Sequence, residues 1–258
     1  MKRITLLFLT LVFLIYLIGC ANKRALRHVD IKNPQSLQYL NDSEQIPEKK
    51  DITVYLSSVE IEKELPYEPR IEKIGNIMKP HPILGVLGVY ALYAQFGSKF
   101  NYELGKKSIM EDLGSFVRQQ LIKEAERSGI FNLDTTGTDY DYTLRVTFKD
   151  QKVAGPYEDK TTVIATFFWR SLRKAGPGYA KTLTDFTLMS EGEEIILDKT
   201  IPTENRTAFL DRWVKNEKEV QKQYTIAMVE SLSKAYKETI EQIVQELNNY
   251  FKGKITHS

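Results

Sequence analysis

Toward the carboxyl end of the chain, apolar residues return every three or four positions, at Tyr224, Met228, Leu232, Tyr236, Ile240, Ile243, Leu247 and Tyr250. That single stripe predicts one long helix over about 216–251. The same spacing at Ile109, Leu113, Phe116, Val117, Leu121 and Ala125 predicts a shorter one. Ser108 with Glu111 three residues on has the form of a capping box at its start, and Gly129 stands where a C′ glycine would end it. Elsewhere the period drops to two. Tyr140, Tyr142, Leu144, Val146 and Phe148 alternate as a half-buried strand, and Asp51 to Ile61 alternates through Ile52, Val54 and Leu56 until Ser57-Ser58 blurs the phase. Thr161 to Leu172 is apolar on both faces, which predicts a central strand. Ala180 to Ser190 and Glu194 to Thr200 read as a hairpin closed at Glu191-Gly192-Glu193, with Pro202 stopping its second arm. Pro66, Pro69, Pro80 and Pro82 argue against a long regular element before residue 83.

The order of strand, helix, three or four strands and helix predicts an α+β fold. Its expected form is a two-layer sandwich, a mainly antiparallel sheet with both helices packed on one face. Residues 51–251 would form this single domain, with an apolar insertion at about 66–107 and a tail at 252–258.

Ahead of it lies a different kind of sequence. Met1-Lys2-Arg3 precedes an apolar run from Ile4 to Ile18, 15 residues long, whereas crossing a bilayer core takes about 20. A basic start, a short apolar stretch and a small residue before the cut make a secretory signal rather than an uncleaved anchor. It ends in Leu17-Ile18-Gly19-Cys20, and Cys20 is the chain's one cysteine. These four residues resemble a bacterial lipobox. The resemblance implies a lipoprotein whose signal peptide, 1–19, is removed and whose Cys20 carries covalent lipid, including palmitate-type chains, as its membrane anchor. Lipidation leaves no thiol for a disulfide, a metal or nucleophilic chemistry. Residues 20–50 are polar, without period, and read as a flexible tether. Ala21 replaces the Asp of the enteric inner-membrane retention signal, so the same resemblance implies an outer-membrane anchor in the cell envelope, facing the periplasm.

The strand around Val54, the helix begun at Ser108, the Tyr142 to Phe148 strand, the hairpin at Gly192 and the closing helix resemble, in that order, small periplasmic lipoproteins of the YajG type and the auxiliary lipoproteins of ABC-type transport systems. The resemblance implies a non-catalytic accessory that sits on a membrane and contacts partner proteins or lipid. The insertion at 66–107 and the stretch from Pro202 to Asn216 exceed a minimal version of that fold.

Within the insertion, Ile83 to Phe96 holds one polar amide, Gln95. One reading folds this segment over the open face of the sheet as core. The other makes it an apolar flap that meets a membrane or partner through Leu87, Tyr90, Tyr93 and Phe96. The run Phe167-Phe168-Trp169-Arg170-Ser171-Leu172-Arg173-Lys174 has the composition to stack on bases or hold a lipid phosphate, although a buried strand with a solvated basic end explains it more simply. Asp134, Asp139 and Asp141 around Gly137 lack the twelfth-position Glu of a calcium loop and read as a turn.

Removing Lys2 and Arg3 brings the formal charge from +2 to zero, leaving no basic excess to draw in nucleic acid. His28, His81 and His257 stand apart from any nucleophile or zinc-type spacing, and no GxSxG, GxxxxGK[ST], HExxH or helix-opening SxxK occurs. The expectation is therefore no enzyme, no metal and no cofactor beyond the lipid on Cys20. The chain is expected to act as an accessory, assembly or transport-auxiliary factor with an envelope protein partner. Alternatives are a surface-exposed, adhesin-like interaction protein, or a subunit of an oligomeric envelope machine assembled as a homo-oligomer.

Overall fold

The computed structural model describes residues 34–40, 42–46, 49–84, 90–164, 168–207 and 217–256. In chain order these form β1 (Thr53–Ile61), β2 (Arg70–Leu84), β3 (Tyr90–Glu103), α1 (Leu113–Ser128), β4 (Asn132–Asp134), β5 (Tyr142–Ile164), β6 (Phe168–Ala175), β7 (Tyr179–Ser190), β8 (Ile195–Arg206) and α2 (Glu217–Thr256). The architecture is α+β, one mixed sheet of eight strands with both helices on one face.

The 23-residue β5 organises the sheet. Its first half pairs in parallel with β1 and antiparallel with β7, and its second half pairs antiparallel with β3 and β6. With β4 outside β1 and β8 outside β7, the first half belongs to a body sheet. The second half, with β2 outside β3, belongs to a four-stranded antiparallel extension.

Alternation explains the body. Leu144, Val146 and Phe148 of β5 and Phe186 and Leu188 of β7 are all fully buried beneath α2, beside Tyr236, Ile240 and Ile243. A register shift between Phe148 and Asp150 returns Gln151 and Val153 to the same covered face. Phe148 meets Tyr236 edge-on with ring centroids 5.4 Å apart, a geometry worth about 0.5–1.5 kcal/mol beyond burial. The blurred phase at Ser57-Ser58 is likewise a register shift, between Leu56 and Ser58.

The opposite face of the body is polar and open. Lys149 pairs with Glu62 at 2.7 Å, the Thr200 hydroxyl donates to Asp185 at 2.6 Å and the Thr187 hydroxyl to Asp198 at 3.1 Å. Such a surface needs no apolar cover, so the reading that folded 83–96 over it as core is corrected. Residues 83–84 and 90–96 lie instead in β2 and β3.

Four further expectations change. Pro80 and Pro82 do not stop β2, and Pro202 does not stop β8, because among the described residues each strand pairs on one side only and an edge strand tolerates a missing donor. Thr161 to Leu172 is not one central strand but the end of β5 and most of β6. The α1 cap is Asp112, whose carboxylate accepts from the Ser115 N–H, while Ser108 is buried in a 3-10 turn over Lys106–Ser108. Gly129 ends α1 with φ −78°, not left-handed; a side chain is excluded there because its Cβ would lie 2.5 Å from the Ala125 carbonyl oxygen.

The last correction concerns the tether. Its described part, from Pro34 onward, is a strap packed across both helices. Gln35 N–H donates to the Ser108 carbonyl at 2.8 Å, Leu37 is buried, Gln38 N–H donates to the Ser233 hydroxyl at 3.0 Å, and Ile46 N–H to the Arg127 carbonyl at 3.0 Å.

Candidate functional site

Cys20 and Leu87 lie outside the described residues. Tyr90 opens β3 opposite Leu84; Tyr93 pairs with His81 and Ile164; Phe96, half-buried, pairs with Met78 and Thr161. All three therefore lie along one strand of the extension.

Sequence reasoning missed what stands next to them. The hairpin of β2 and β3 and the hairpin of β5 and β6 end side by side, since Ala94 pairs with Val163 and Tyr93 with Ile164, while Val163 pairs with Trp169 and Ile164 with Phe168. Two of the most apolar stretches beyond the N-terminal run thus share one end of one sheet. The available clue was that Thr161 to Trp169 is apolar on both faces, a pattern that suits an extension end as well as a sheet centre.

Along the extension the chemistry changes rung by rung. Near its base Phe100 and Tyr157 are buried with ring centroids 6.4 Å apart. One and two rungs on, charges are paired: Lys99 with Glu158 at 3.6 Å, and Arg173 with Asp159 at 3.5 Å. Thr161 and Ser171 share a hydroxyl hydrogen bond of 3.1 Å. The next rung runs Lys79, Gln95, Thr162, Arg170 across all four strands. Past it, from Pro80 to Ala94 and from Val163 to Trp169, the sequence has no Asp, Glu, Lys or Arg. From Lys79 to Leu84 is five residues of strand, about 17 Å at 3.3 Å per residue.

Other polar groupings are occupied in holding the fold. The Asp134 carboxylate accepts from Thr136 and Gly137 N–H groups at 3.0 and 2.6 Å, which holds it well below the usual carboxylate range and makes the Asp-rich segment a turn. Gly137 has φ 70° and packs its backbone on the Tyr55 ring. Glu124, fully buried, accepts from the Tyr39 phenol at 2.9 Å and the Ser128 hydroxyl at 2.6 Å. Burial, and then the Glu124 carboxylate, push the Tyr39 phenol far above its ordinary value. Beneath α2, Thr182 shares hydroxyl hydrogen bonds with Thr203 at 2.6 Å and Thr239 at 3.1 Å, and the Tyr236 hydroxyl donates to Gln151 at 2.5 Å. Burial alone pushes Tyr236 far up, and burial raises Tyr102 to about 12. An open groove of about 310 Å³ beside β7 and β8 is flanked by the Lys181–Glu204 ion pair at 2.9 Å. Among the described residues, no three His, Cys, Asp or Glu side chains gather as a metal site, and no helix is long and apolar enough to cross a membrane.

No family model matches the chain, and no curated protein matches it. Among solved structures, protein XCC0632 from Xanthomonas campestris, of family DUF330, aligns at 8% identity over 87% of this chain and 97% of that one, with a TM-score of 0.42. That likeness is one of outline and transfers no residue role.

Proposed function

We propose that the chain is a lipid-anchored, non-catalytic protein of the bacterial cell envelope, an accessory or assembly factor that works by contact through the end of its four-stranded extension. The observation that carries the reading is the register bringing residues 80–84, 90–94, 163–164 and 168–169 together, beyond the last charged rung. Leu17-Ile18-Gly19-Cys20 supports the anchor, Ala21 supports an outer-membrane address facing the periplasm, and a partner protein or the lipid itself takes up the apolar end.

A photo-crosslinking residue placed in cells at Leu92 or Trp169 should capture neighbours, whereas one at Thr187, on the open polar face, should not. Crosslinks concentrated at Thr187 would overturn the reading. Cys20→Ala should leave an unprocessed precursor; a variant that still matures and stays tightly anchored would remove the lipoprotein assignment.

A further inference from the structure

We infer that the surface where the strap joins the body, formed by Leu40, Tyr67, Met110 and Ile226, rests in the interface of the phospholipid bilayer that holds the lipid on Cys20. This rests on the lipid-anchored reading above and adds which face of the body meets the lipid.

The fold leaves all four apolar side chains out. Tyr67 is 71% exposed, Met110 64%, Leu40 72% and Ile226 39%. One exposed apolar side chain is ordinary, but these four gather around one turn and the strap beside it. Lys107 N–H donates to the Tyr67 carbonyl at 3.0 Å on one side of the 3-10 turn over Lys106–Ser108, and Met110 follows the turn on the other. The Ser108 and Thr225 side chains both act on the Tyr102 phenol, which brings Ile226, the next residue of α2, to the same place. The Ser36 hydroxyl lies 3.2 Å from the Met110 Sδ, so the strap enters here. From there it follows α2, with Gln38 on Ser233, Asp42 on Lys237 and Leu40 between them.

The backbone of this surface suits an apolar surrounding. The five N–H groups from Lys106 to Met110 all have carbonyl acceptors, on Pro66, Tyr67, Gly105, Lys106 and Gln35, at 2.8–3.1 Å. None of these donors needs water, which is the condition lipid imposes. Charge is matched as well. Lys106 pairs with Glu64 at 2.7 Å and Lys107 with Glu68 at 3.1 Å, so the turn has no net attraction for anionic headgroups. The contact is apolar, and Tyr67 is an aromatic type that favours the membrane interface.

The anchor selects the occupant. Fourteen peptide steps separate Cys20 from Pro34, which bounds the distance between them at about 50 Å. Pro34 adjoins Gln35, whose N–H and carbonyl bond Ser108 and Met110. A lipid on Cys20 therefore keeps this surface close to the bilayer, and the high effective concentration of a tethered contact lets a few shallow side chains suffice.

The test uses the full-length lipidated protein in phosphatidylcholine vesicles, with cysteine introduced as Met110→Cys or Thr187→Cys and labelled with an environment-sensitive fluorophore. Nitroxide at the headgroup or upper acyl chain should quench the Met110 label about twofold or more and leave the Thr187 label unchanged. Added phosphatidylglycerol or high salt should alter neither result. A Met110 label untouched by lipid nitroxide overturns the inference, whether it is open to aqueous iodide or shielded from it by a protein or a second copy. Quenching that requires phosphatidylglycerol overturns it too, because the contact would then be electrostatic. Tyr67→Cys carries the same expectation should Met110→Cys misfold. Labelling stoichiometry separates the two failures: two labels per chain would mean that Cys20 is free and would overturn the anchor reading itself, whereas one label without quenching overturns this inference alone.

Discussion

Removing the Tyr39 hydroxyl with Tyr39→Phe tests whether the strap is part of the folded body. The phenol donates at 2.9 Å to Glu124, a carboxylate with 0% of its surface exposed. Hydrogen bonds to charged groups contribute about 1.5–3 kcal/mol. The Ser128 hydroxyl at 2.6 Å still serves the other carboxylate oxygen, so the loss should fall at the lower end, about 1.5–2 kcal/mol. Should the strap open as a local unit, hydrogen exchange at the Gln35, Leu37, Gln38 and Ile46 amides, all donors to the body, should rise about ten- to thirtyfold. Should it open only with the body, Tm should fall by about 3–8 °C for a domain of this size. Less than a twofold change at all four amides with Tm unmoved within about 1 °C would refute the reasoning. The same substitution made beside Glu124→Gln should cost less than half as much, since a neutral amide is cheaper to leave unpaired than a carboxylate.

Three further outcomes follow from local geometry. Gly155→Ala would set a Cβ 2.1 Å from the Tyr224 hydroxyl oxygen and 2.6 Å from Gly178 Cα, so thermal melts should show a loss of about 1–3 kcal/mol, and an unchanged Tm would deny the close approach. Asp112→Ala should cost about 1 kcal/mol as a lost helix cap, while Ser108→Ala, deleting a buried hydroxyl that caps no helix, should be neutral or stabilising; denaturant titration giving the reverse order would restore the capping box at Ser108. Burial raises the Glu241 carboxyl above its ordinary 4.5. Its folded value exceeds its unfolded one, so its contribution is present below pH 4.5 and lost as pH rises through the folded value. Glu241→Gln, although it gives up the Lys237 ion pair at 3.6 Å, should therefore compare better with the wild type at neutral pH than at pH 4.5, by Tm, and an equal difference at both would exclude the burial effect.

The two long periodic stripes became α1 and α2, and the alternation from Tyr142 to Phe148 became buried strand, because helix and strand periods are properties of consecutive residues. The hairpin at Gly192 was legible for the same reason, its turn chemistry lying within a few residues. Misreadings gathered where a residue's meaning depended on its neighbour across the sheet. Pro80, Pro82 and Pro202 break strands only where a partner on both sides needs the N–H, and edge position is not written locally. Asp112 rather than Ser108 caps α1 because the 3-10 turn buries Ser108 first. Local sequence also could not separate a tether from a strap, since Tyr39 and Gln38 acquire their partners from helices 85 and 195 residues away.

By itself, then, the chain determined its two helices, the strand from Tyr142, the hairpin at Gly192, the α+β class and the existence of an apolar segment around Ile83 to Phe96, all carried by short-range spacing and composition. Tertiary structure alone decided that β5 runs through both halves of the sheet and that two hairpins end together beyond the Lys79–Arg170 rung. The physical reason is that strand pairing joins residues far apart in sequence, so register, and with it the place where apolar surface collects, is set by long-range hydrogen bonds that no local pattern records.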